Sequence, residues 1–272
     1  MVLESIINVK TAEKKPSVMF AAGFVYVIVA AALAYYIFPT DPSIPLVFLT
    51  TFAAIPIMVN VLKKEEEVVE EEKMILIGKH KDVFLMFTSL FFGMATAFTI
   101  LYIFVPNDIS AKLFSAQIST IKGVSGFMTA DAILQEILVN NFKVLAFCLL
   151  FSFIFGAGAI FIIAWNASIL GVAIGHTIRQ MLMKLGGGWH AYFYVVPYSL
   201  GRYLTHGIFE ISAYFLAGIA GGIISAAVVR YDFNSKKFYE VVLDSLDLII
   251  LASLLLVIGA LVEVSVTPLI FG

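Results

Sequence analysis

The sequence predicts an all-α, polytopic membrane protein, and three features of its composition lead to that fold class. Hydrophobic residues make up 61% of the 272 residues, charged residues make up 13%, and the mean hydropathy is +1.00. A soluble domain uses about 25% charged residues, because its surface has to be solvated. This chain has too little charge to cover a globule in water, so we expect most of its surface to face lipid.

The long apolar runs predict the membrane spans. A helix needs about 20 mostly apolar residues to cross the hydrocarbon core of a bilayer. Six runs meet this requirement: Val18–Phe38, Leu46–Leu62, Phe84–Val105, Phe142–Trp165, Ile208–Val229 and Leu246–Leu269.

Two further apolar stretches are less regular. Asn166–Leu182 is interrupted by His176 and Arg179, which weakens it as a span. Trp189–Tyr203 is aromatic and contains Pro197, so we expect an interfacial or re-entrant piece there. The chain is therefore predicted to form a bundle of six or seven spans.

The distribution of basic residues predicts the orientation. Lysines precede the first span and follow the second, and Arg230–Lys237 carries three more basic residues. Cytoplasmic loops are enriched in Lys and Arg, so we expect the amino terminus in the cytoplasm of a cell-membrane protein. Keeping Arg230–Lys237 inside requires Asn166–Leu182 to cross fully, which gives seven spans and an external carboxyl terminus. If that run only dips into the membrane, six spans remain and the carboxyl terminus is cytoplasmic.

Two extramembrane segments are long enough to fold. Lys63–Lys73 reads KKEEEVVEEEK, which predicts a charge-dense helix that extends from the second span as a solvated linker or a docking surface. The apolar spacing in Pro106–Asn141 predicts two amphipathic helices that lie on the membrane or cap the bundle.

Composition and motifs exclude several functions. The net charge of −2 argues against a nucleic-acid partner, which requires a basic field. Cys148, the single cysteine, lies in an apolar run and cannot form an internal disulfide. The chain has no HExxH, GxSxG or Walker A motif. We therefore expect a protein that is not an enzyme and needs no cofactor, with a metal-dependent membrane enzyme as a minor alternative.

Ionisable residues inside spans carry the most functional information, because each costs about 2.5–3.5 kcal/mol at mid-membrane on insertion scales. They form a short list of candidates for a polar intramembrane cluster: His176, Arg179, Arg202, His206, Glu210 and Glu263.

The positions of the two glutamates predict that they meet. His206 and Glu210 are four residues apart and share one helix face. Glu210 lies near the start of its predicted span, and Glu263 lies near the end of the next. Consecutive spans run in opposite directions, so both carboxylates should reach the same depth near one leaflet.

Such a cluster has four interpretations, and the residues alone do not decide among them. It can be a structural clasp between helices, a proton- or ion-coupled pathway, or a site for lipid head groups. A metal site built from His176, His206, Glu210 and Glu263 is a minor alternative, because an HxxxE pair is common and unspecific.

Small residues predict close helix packing. Gly171 and Gly175 form one GxxxG pair, and Gly218 and Gly222 form another. Such pairs let helix backbones approach in lipid. They serve either packing within the chain or the seam of a homo-oligomer, most simply a dimer.

Three fragments carry a family resemblance. HGIFEISAYFLAGIAGG (His206–Gly222) resembles the HGxxExxA signature of the stage II sporulation protein M family. Asn140–Gly171 is similar to that family's asparagine pair, glycine-bearing span and later asparagine, and Leu261–Pro268 resembles its closing Glu and Thr-Pro. Thr205 and Ala167 depart from the usual Pro and Gly of the pattern, which affects local loop geometry.

The resemblance covers about Phe84–Pro268. It implies a membrane core over residues 84–272, preceded by an extension over residues 1–83 with two spans and the acidic helix. The family motif corresponds to Asn141, Asn166, His206, Gly207, Glu210, Glu263, Thr267 and Pro268.

The function implied by the resemblance is organisation rather than catalysis. Relatives in sporulating bacteria act in engulfment as a membrane anchor for two proteins that degrade peptidoglycan, and other relatives occur in organisms that do not sporulate. We therefore expect an integral membrane scaffold that oligomerises or recruits envelope partners, in contact with membrane lipids. The alternative is a transporter or channel for a small solute, ion or lipid that uses His206, Glu210 and Glu263.

Overall fold

The computed structural model describes residues 16–71, 80–122, 130–155, 158–186 and 188–271, and every regular element in these ranges is a helix. The helices are α1 (Pro16–Ile37), α2 (Ser43–Glu71), α3 (Lys81–Phe104), α4 (Asn107–Leu113), α5 (Ser115–Lys122), α6 (Ala130–Phe155), α7 (Ala159–Lys184), α8 (Trp189–Arg230), α9 (Lys236–Ser265) and α10 (Thr267–Phe271).

Within the described ranges, seven helices are long and apolar enough to cross a membrane. They are α1, the first part of α2, α3, α6, α7, α8, and α9 taken together with α10. The predicted fold class, an all-α transmembrane bundle, is thus confirmed. Helix α2 also continues past its apolar part to Glu71, as the charged run predicted.

The predicted boundary between the fourth and fifth spans is wrong. The sequence suggested Phe142–Trp165 followed by Asn166–Leu182, but the structure has α6 ending at Phe155 and α7 beginning at Ala159. A Cβ at Gly158 would collide with the carbonyl oxygen of Phe151, so the start of α7 lies very close to the end of α6. Hydropathy does not reveal this boundary, because the sequence is apolar on both sides of it.

Of the two alternatives predicted for Trp189–Tyr203, the re-entrant one is wrong, and the interfacial one stays a prediction. This stretch is the first part of α8, a continuous helix of 42 residues with Pro197 inside it. At 1.5 Å per residue α8 is about 63 Å long, roughly twice the thickness of a hydrocarbon core. Proline removes only one backbone hydrogen bond, and helices in membranes tolerate it where neighbours compensate.

The segment after α3 enters the bundle. Phe114, between α4 and α5, is fully buried and its ring lies 5.6 Å from that of Tyr102. Gln117 donates a hydrogen bond of 3.2 Å to the hydroxyl of Ser168 on α7. The predicted second amphipathic helix of Pro106–Asn141 is instead the first part of α6, and residues 123–129 lie outside the described ranges.

Close backbone contacts hold the helices together. A Cβ at Gly171 would lie 2.6 Å from the Cβ of Phe98, and one at Gly175 would lie 3.0 Å from the Cβ of Tyr102. Both glycines of this pair therefore pack against α3 of the same chain. Ser152 of α6 donates a 2.7 Å hydrogen bond to the carbonyl of Gly218, which joins α6 to α8.

Candidate functional site

Four helices bring polar side chains together inside the bundle. Helix α8 supplies three of them at intervals of four residues, which places them along one face. We call the group the carboxylate cluster; it consists of Asn141 of α6, His206, Glu210 and Tyr214 of α8, Glu263 of α9 and Thr267 of α10.

Asn141 connects two members of α8. Its Nδ2 donates a 2.5 Å hydrogen bond to Oε1 of Glu210, and its Oδ1 accepts a 2.9 Å hydrogen bond from the hydroxyl of Tyr214. The two bonds fix the orientation of the amide, because a carboxylate accepts and the tyrosine hydroxyl donates. Asn141 is buried, so this bridge joins α6 to α8 out of contact with solvent.

His206 connects α8 to the end of the chain. Its Nδ1 lies 3.2 Å from Oγ1 of Thr267, which in turn donates a 3.2 Å hydrogen bond to the carbonyl of Val262. A hydroxyl has one proton, so Nδ1 of His206 is the donor to Thr267. Nε2 then faces Oε1 of Glu263 at 3.9 Å, a distance that suits an ion pair but not a hydrogen bond.

Glu210 and Glu263 lie on neighbouring helices of this cluster. Helix α9 approaches α8 closely at this level, because a Cβ at Gly259 would lie only 3.2 Å from Cγ of Glu210. Glu210 thus faces the turn of α9 that precedes Glu263, while Glu263 faces His206, and the expected meeting of the two carboxylates stays a prediction. Glu210 lies near the middle of α8, not near the start of a span, because α8 begins at Trp189.

The other predicted members are not all in this group. Arg202 lies one turn before His206 and interacts with it electrostatically, but its side chain is exposed. Among the described residues Arg202 forms no ion pair with Glu210 or Glu263. His176 and Arg179 belong to a second group on the other side of α7.

This second group, the arginine cluster, consists of Tyr102, Asn107, His176, Arg179 and Gln180. The guanidinium group of Arg179 donates to the carbonyls of Ile103 and Val105 and, at 2.6 Å, to Oδ1 of Asn107. It therefore caps the carboxyl end of α3, whose last carbonyls have no partner within the helix.

The remaining residues of the arginine cluster support this cap. The guanidinium carbon of Arg179 lies 5.1 Å from the ring centre of Tyr102. The hydroxyl of Tyr102 lies 2.9 Å from Nδ1 of His176, and Nε2 of His176 lies 2.8 Å from Nε2 of Gln180. These contacts account for the presence of His176 and Arg179 in α7. None of them involves the carboxylates of Glu210 or Glu263.

Four other residues singled out by the sequence lie outside the two clusters. Nδ2 of Asn166 donates a 2.8 Å hydrogen bond to the carbonyl of Ile162 in its own helix. Gly207 is buried, yet a Cβ there would meet nothing closer than Cδ1 of Ile211 at 3.9 Å. Pro268 is exposed at the start of α10, and Gly222 is buried in α8.

Nothing within the described ranges suggests a metal centre, since no group of three or more His, Cys, Asp or Glu side chains can hold an ion there. Three cavities of the described part of the chain are each lined by side chains other than His206, Glu210 and Glu263. The contacts that the carboxylate cluster forms are hydrogen bonds between helices and the 3.9 Å approach of His206 to Glu263.

Sequence reasoning did not include Tyr214, Tyr102, Asn107 and Gly259. Tyr214 could have been predicted from the sequence, since it follows Glu210 by four residues on the same helix face. Gly259 precedes Glu263 by four residues in the same way. Tyr102 and Asn107 gave no signal, because their partners lie more than 70 positions away along the chain.

The fold and the carboxylate cluster define a class of protein: a polytopic helical membrane protein whose HGxxE face packs against neighbouring spans. The model of the family described as Stage II sporulation protein M matches residues 18–268. The chain therefore belongs to the stage II sporulation protein M family. The match includes the first two spans, and the proposed division at residue 83 stays a prediction.

One relative gives further support for the family. An uncharacterised protein of Methanocaldococcus jannaschii is 33% identical over 137 residues, which are 49% of this chain and 70% of that protein. No solved structure has a significant match to the chain.

Proposed function

We propose that this protein is a non-catalytic scaffold of the cell membrane that assembles with further copies of itself or with envelope proteins. The observation that carries the proposal is an exposed charge in the middle of a span. Lys143 lies at the centre of the apolar window Ala132–Ile154 of α6, and its side chain points out of the bundle.

A lysine in that position is expensive against hydrocarbon, at about 2.5–3.5 kcal/mol on insertion scales. Lys143 forms no ion pair with any residue that the structure describes, so nothing within these ranges offsets its charge. Asn140 and Glu136 lie on the same outward face, one and two turns away. A polar stripe on the outside of a span is typical of a surface that meets another helix.

The carboxylate cluster supports a structural role. Its hydrogen bonds join α6, α8 and α10 within one chain, and a clasp of this kind keeps the bundle rigid beneath an assembly surface. The acidic run Lys63–Lys73 and the segment Pro106–Asn141 are further candidate docking surfaces in this proposal. The side chains of the acidic run lie outside the described residues.

Cross-linking along α6 tests self-assembly. Cysteine variants at Phe147 and Leu150, which lie on the outward face with Lys143, should form disulfide-linked dimers in oxidised membranes. The native thiol of Cys148 is buried, so the unmodified protein should form no cross-link and is the negative control. A matched variant at Val29, which is exposed on α1, should stay monomeric.

Mass measurement in mild detergent completes the test of the scaffold. We expect a mass above that of the monomer or a co-purified envelope protein, and Lys143→Glu should lower the assembled fraction. A strictly monomeric protein without cross-links and without a bound partner contradicts the proposal.

Transport is the second candidate, and one observation favours it. Among the described residues, Glu263 has the 3.9 Å contact with His206 as its one side-chain partner, and 32% of its side chain is exposed, which suits a group that exchanges protons with its surroundings. Glu210 lies next along the same path. Flux of protons or small cations into liposomes tests this role: Glu210→Gln and Glu263→Gln should abolish it, and unchanged flux in both variants excludes it.

A further inference from the structure

A groove on the outside of the bundle ends beside Arg179. Its apolar part is a cavity of about 340 Å³ between α3, α7 and α8, lined among others by Ile100, Phe104, Ile174, Ile178, Val196 and Leu200. A second cavity of about 460 Å³ contains Asn107 and Arg179. Ile103, Phe104 and Tyr192 line both cavities, so the two form one continuous groove.

The groove opens sideways from the bundle. Ile174 and Ile178 of α7 are buried and form its floor. The walls are Phe104 of α3, which is 70% exposed, and Leu200 of α8, which is 39% exposed. A hydrocarbon chain can therefore enter between α3 and α8 from the surrounding lipid.

The end of the groove carries a positive charge without a counter-ion. All acceptors of Arg179 are neutral, namely two backbone carbonyls and the amide oxygen of Asn107. A guanidinium group has five N–H donors, and these bonds leave one N–H of Nη1 without an acceptor among the described residues. No carboxylate lines either cavity.

We infer that this groove binds a membrane lipid with an anionic phosphate head group. One hydrocarbon chain of the lipid lies against α7 between α3 and α8. The phosphate accepts a hydrogen bond from the free N–H of Arg179. Arginine suits this task because its planar fork can cap α3 and still present a charged donor to a phosphate oxygen. The inference is independent of the scaffold role, since it concerns the arginine cluster and not the carboxylate cluster.

Lipid retention in native mass spectrometry tests the inference. The purified protein is incubated with an equimolar mixture of phosphatidylglycerol and phosphatidylcholine that carry the same chains. We expect one bound phosphatidylglycerol in preference to phosphatidylcholine. Arg179→Gln should lower this preference about fivefold, since a basic side chain contributes roughly 1 kcal/mol to binding of an anionic lipid.

Two variants separate the lipid site from the cap on α3. Arg179→Lys keeps the charge and should keep most of the preference. Leu200→Trp fills the groove without touching Arg179 and should reduce retention of both lipids. Leu254→Trp, on the exposed face of α9, is the matched control and should bind lipid like the unmodified protein.

Three results would overturn the inference. The first is equal retention of both lipids by the unmodified protein, and the second is undiminished retention in Leu200→Trp. The third is displacement of phosphatidylglycerol by millimolar inorganic phosphate, which would make this a site for free anions. If Arg179→Gln does not fold, as judged by circular dichroism, Leu200→Trp and Arg179→Lys still decide the question.

Discussion

At the scale of single residues, the side chain of Asn141 serves two helix partners at once. Its amide nitrogen donates a hydrogen bond to Glu210, and its amide oxygen accepts one from Tyr214. One buried residue thus provides hydrogen-bond partners for two polar groups of α8. The preceding residue, Asn140, points out of the bundle. The two asparagines of the family motif therefore have different surroundings, although the sequence presents them as a pair.

Replacing Asn141 by leucine should destabilise the protein by about 1–2 kcal/mol, because Glu210 and Tyr214 lose their partner inside the bundle. Unfolding in mixed detergent micelles, followed by circular dichroism, measures this free energy. Asn140→Leu is the matched control and should change stability by less than about 0.5 kcal/mol. Equal losses in the two variants would show that the Asn141 bridge contributes nothing specific.

Part of the carboxylate cluster can be predicted from residues alone. The four-residue spacing of His206, Glu210 and Tyr214 places them on one face, and the reversal between α8 and α9 brings Glu263 beside His206. The role of Arg179 could not be predicted in this way. Its acceptors are backbone carbonyls at the end of α3, and carbonyls have no signature in a sequence.

At the scale of helices, glycines set how closely the spans approach. A Cβ at Gly93 would collide with the carbonyl oxygen of Phe20, so α1 and α3 are in backbone contact at this point. Gly207, in contrast, has free space where its Cβ would be. Close packing therefore accounts for Gly93 but gives no reason for the glycine of the HGxxE motif.

Gly93→Ala should destabilise the protein by about 1–3 kcal/mol, because the backbone of α1 has to move to admit the methyl group. Gly207→Ala should keep stability or raise it by up to about 1 kcal/mol, since alanine favours a helix over glycine. The temperature of unfolding in detergent compares the two variants. A loss of stability in Gly207→Ala as large as that in Gly93→Ala would contradict the packing described for α8.

At the scale of the whole molecule, the number of crossings determines where the termini lie. The described part of the chain has seven helices that can cross a membrane, and an odd number places the two termini on opposite sides. Basic residues near the amino terminus favour the cytoplasm for that end. If all seven helices cross, we expect the carboxyl-terminal residues of α10 on the outer side.

Reporter fusions test this arrangement. A tag at the amino terminus should be accessible only after the cytoplasmic side is exposed, and a tag after α10 should be accessible from outside intact cells. A cytoplasmic reporter placed in the Asp232–Lys236 turn provides an internal reference, because α8 and α9 meet there. Both termini on one side would mean that one of the seven helices does not cross.

The sequence by itself determined that this protein is a helical membrane protein, since 13% charged residues cannot solvate a fold of 272 residues. It also placed His206 and Glu210 on one helix face and Glu263 on the next, opposed helix, because spacing within a helix and reversal between helices follow from chain order. Only the tertiary structure decided where α6 ends, that α8 continues through Pro197, and that Arg179 caps α3 instead of joining the carboxylates. Those features depend on close contacts between residues far apart in the chain, and hydropathy is the same whether or not such contacts form.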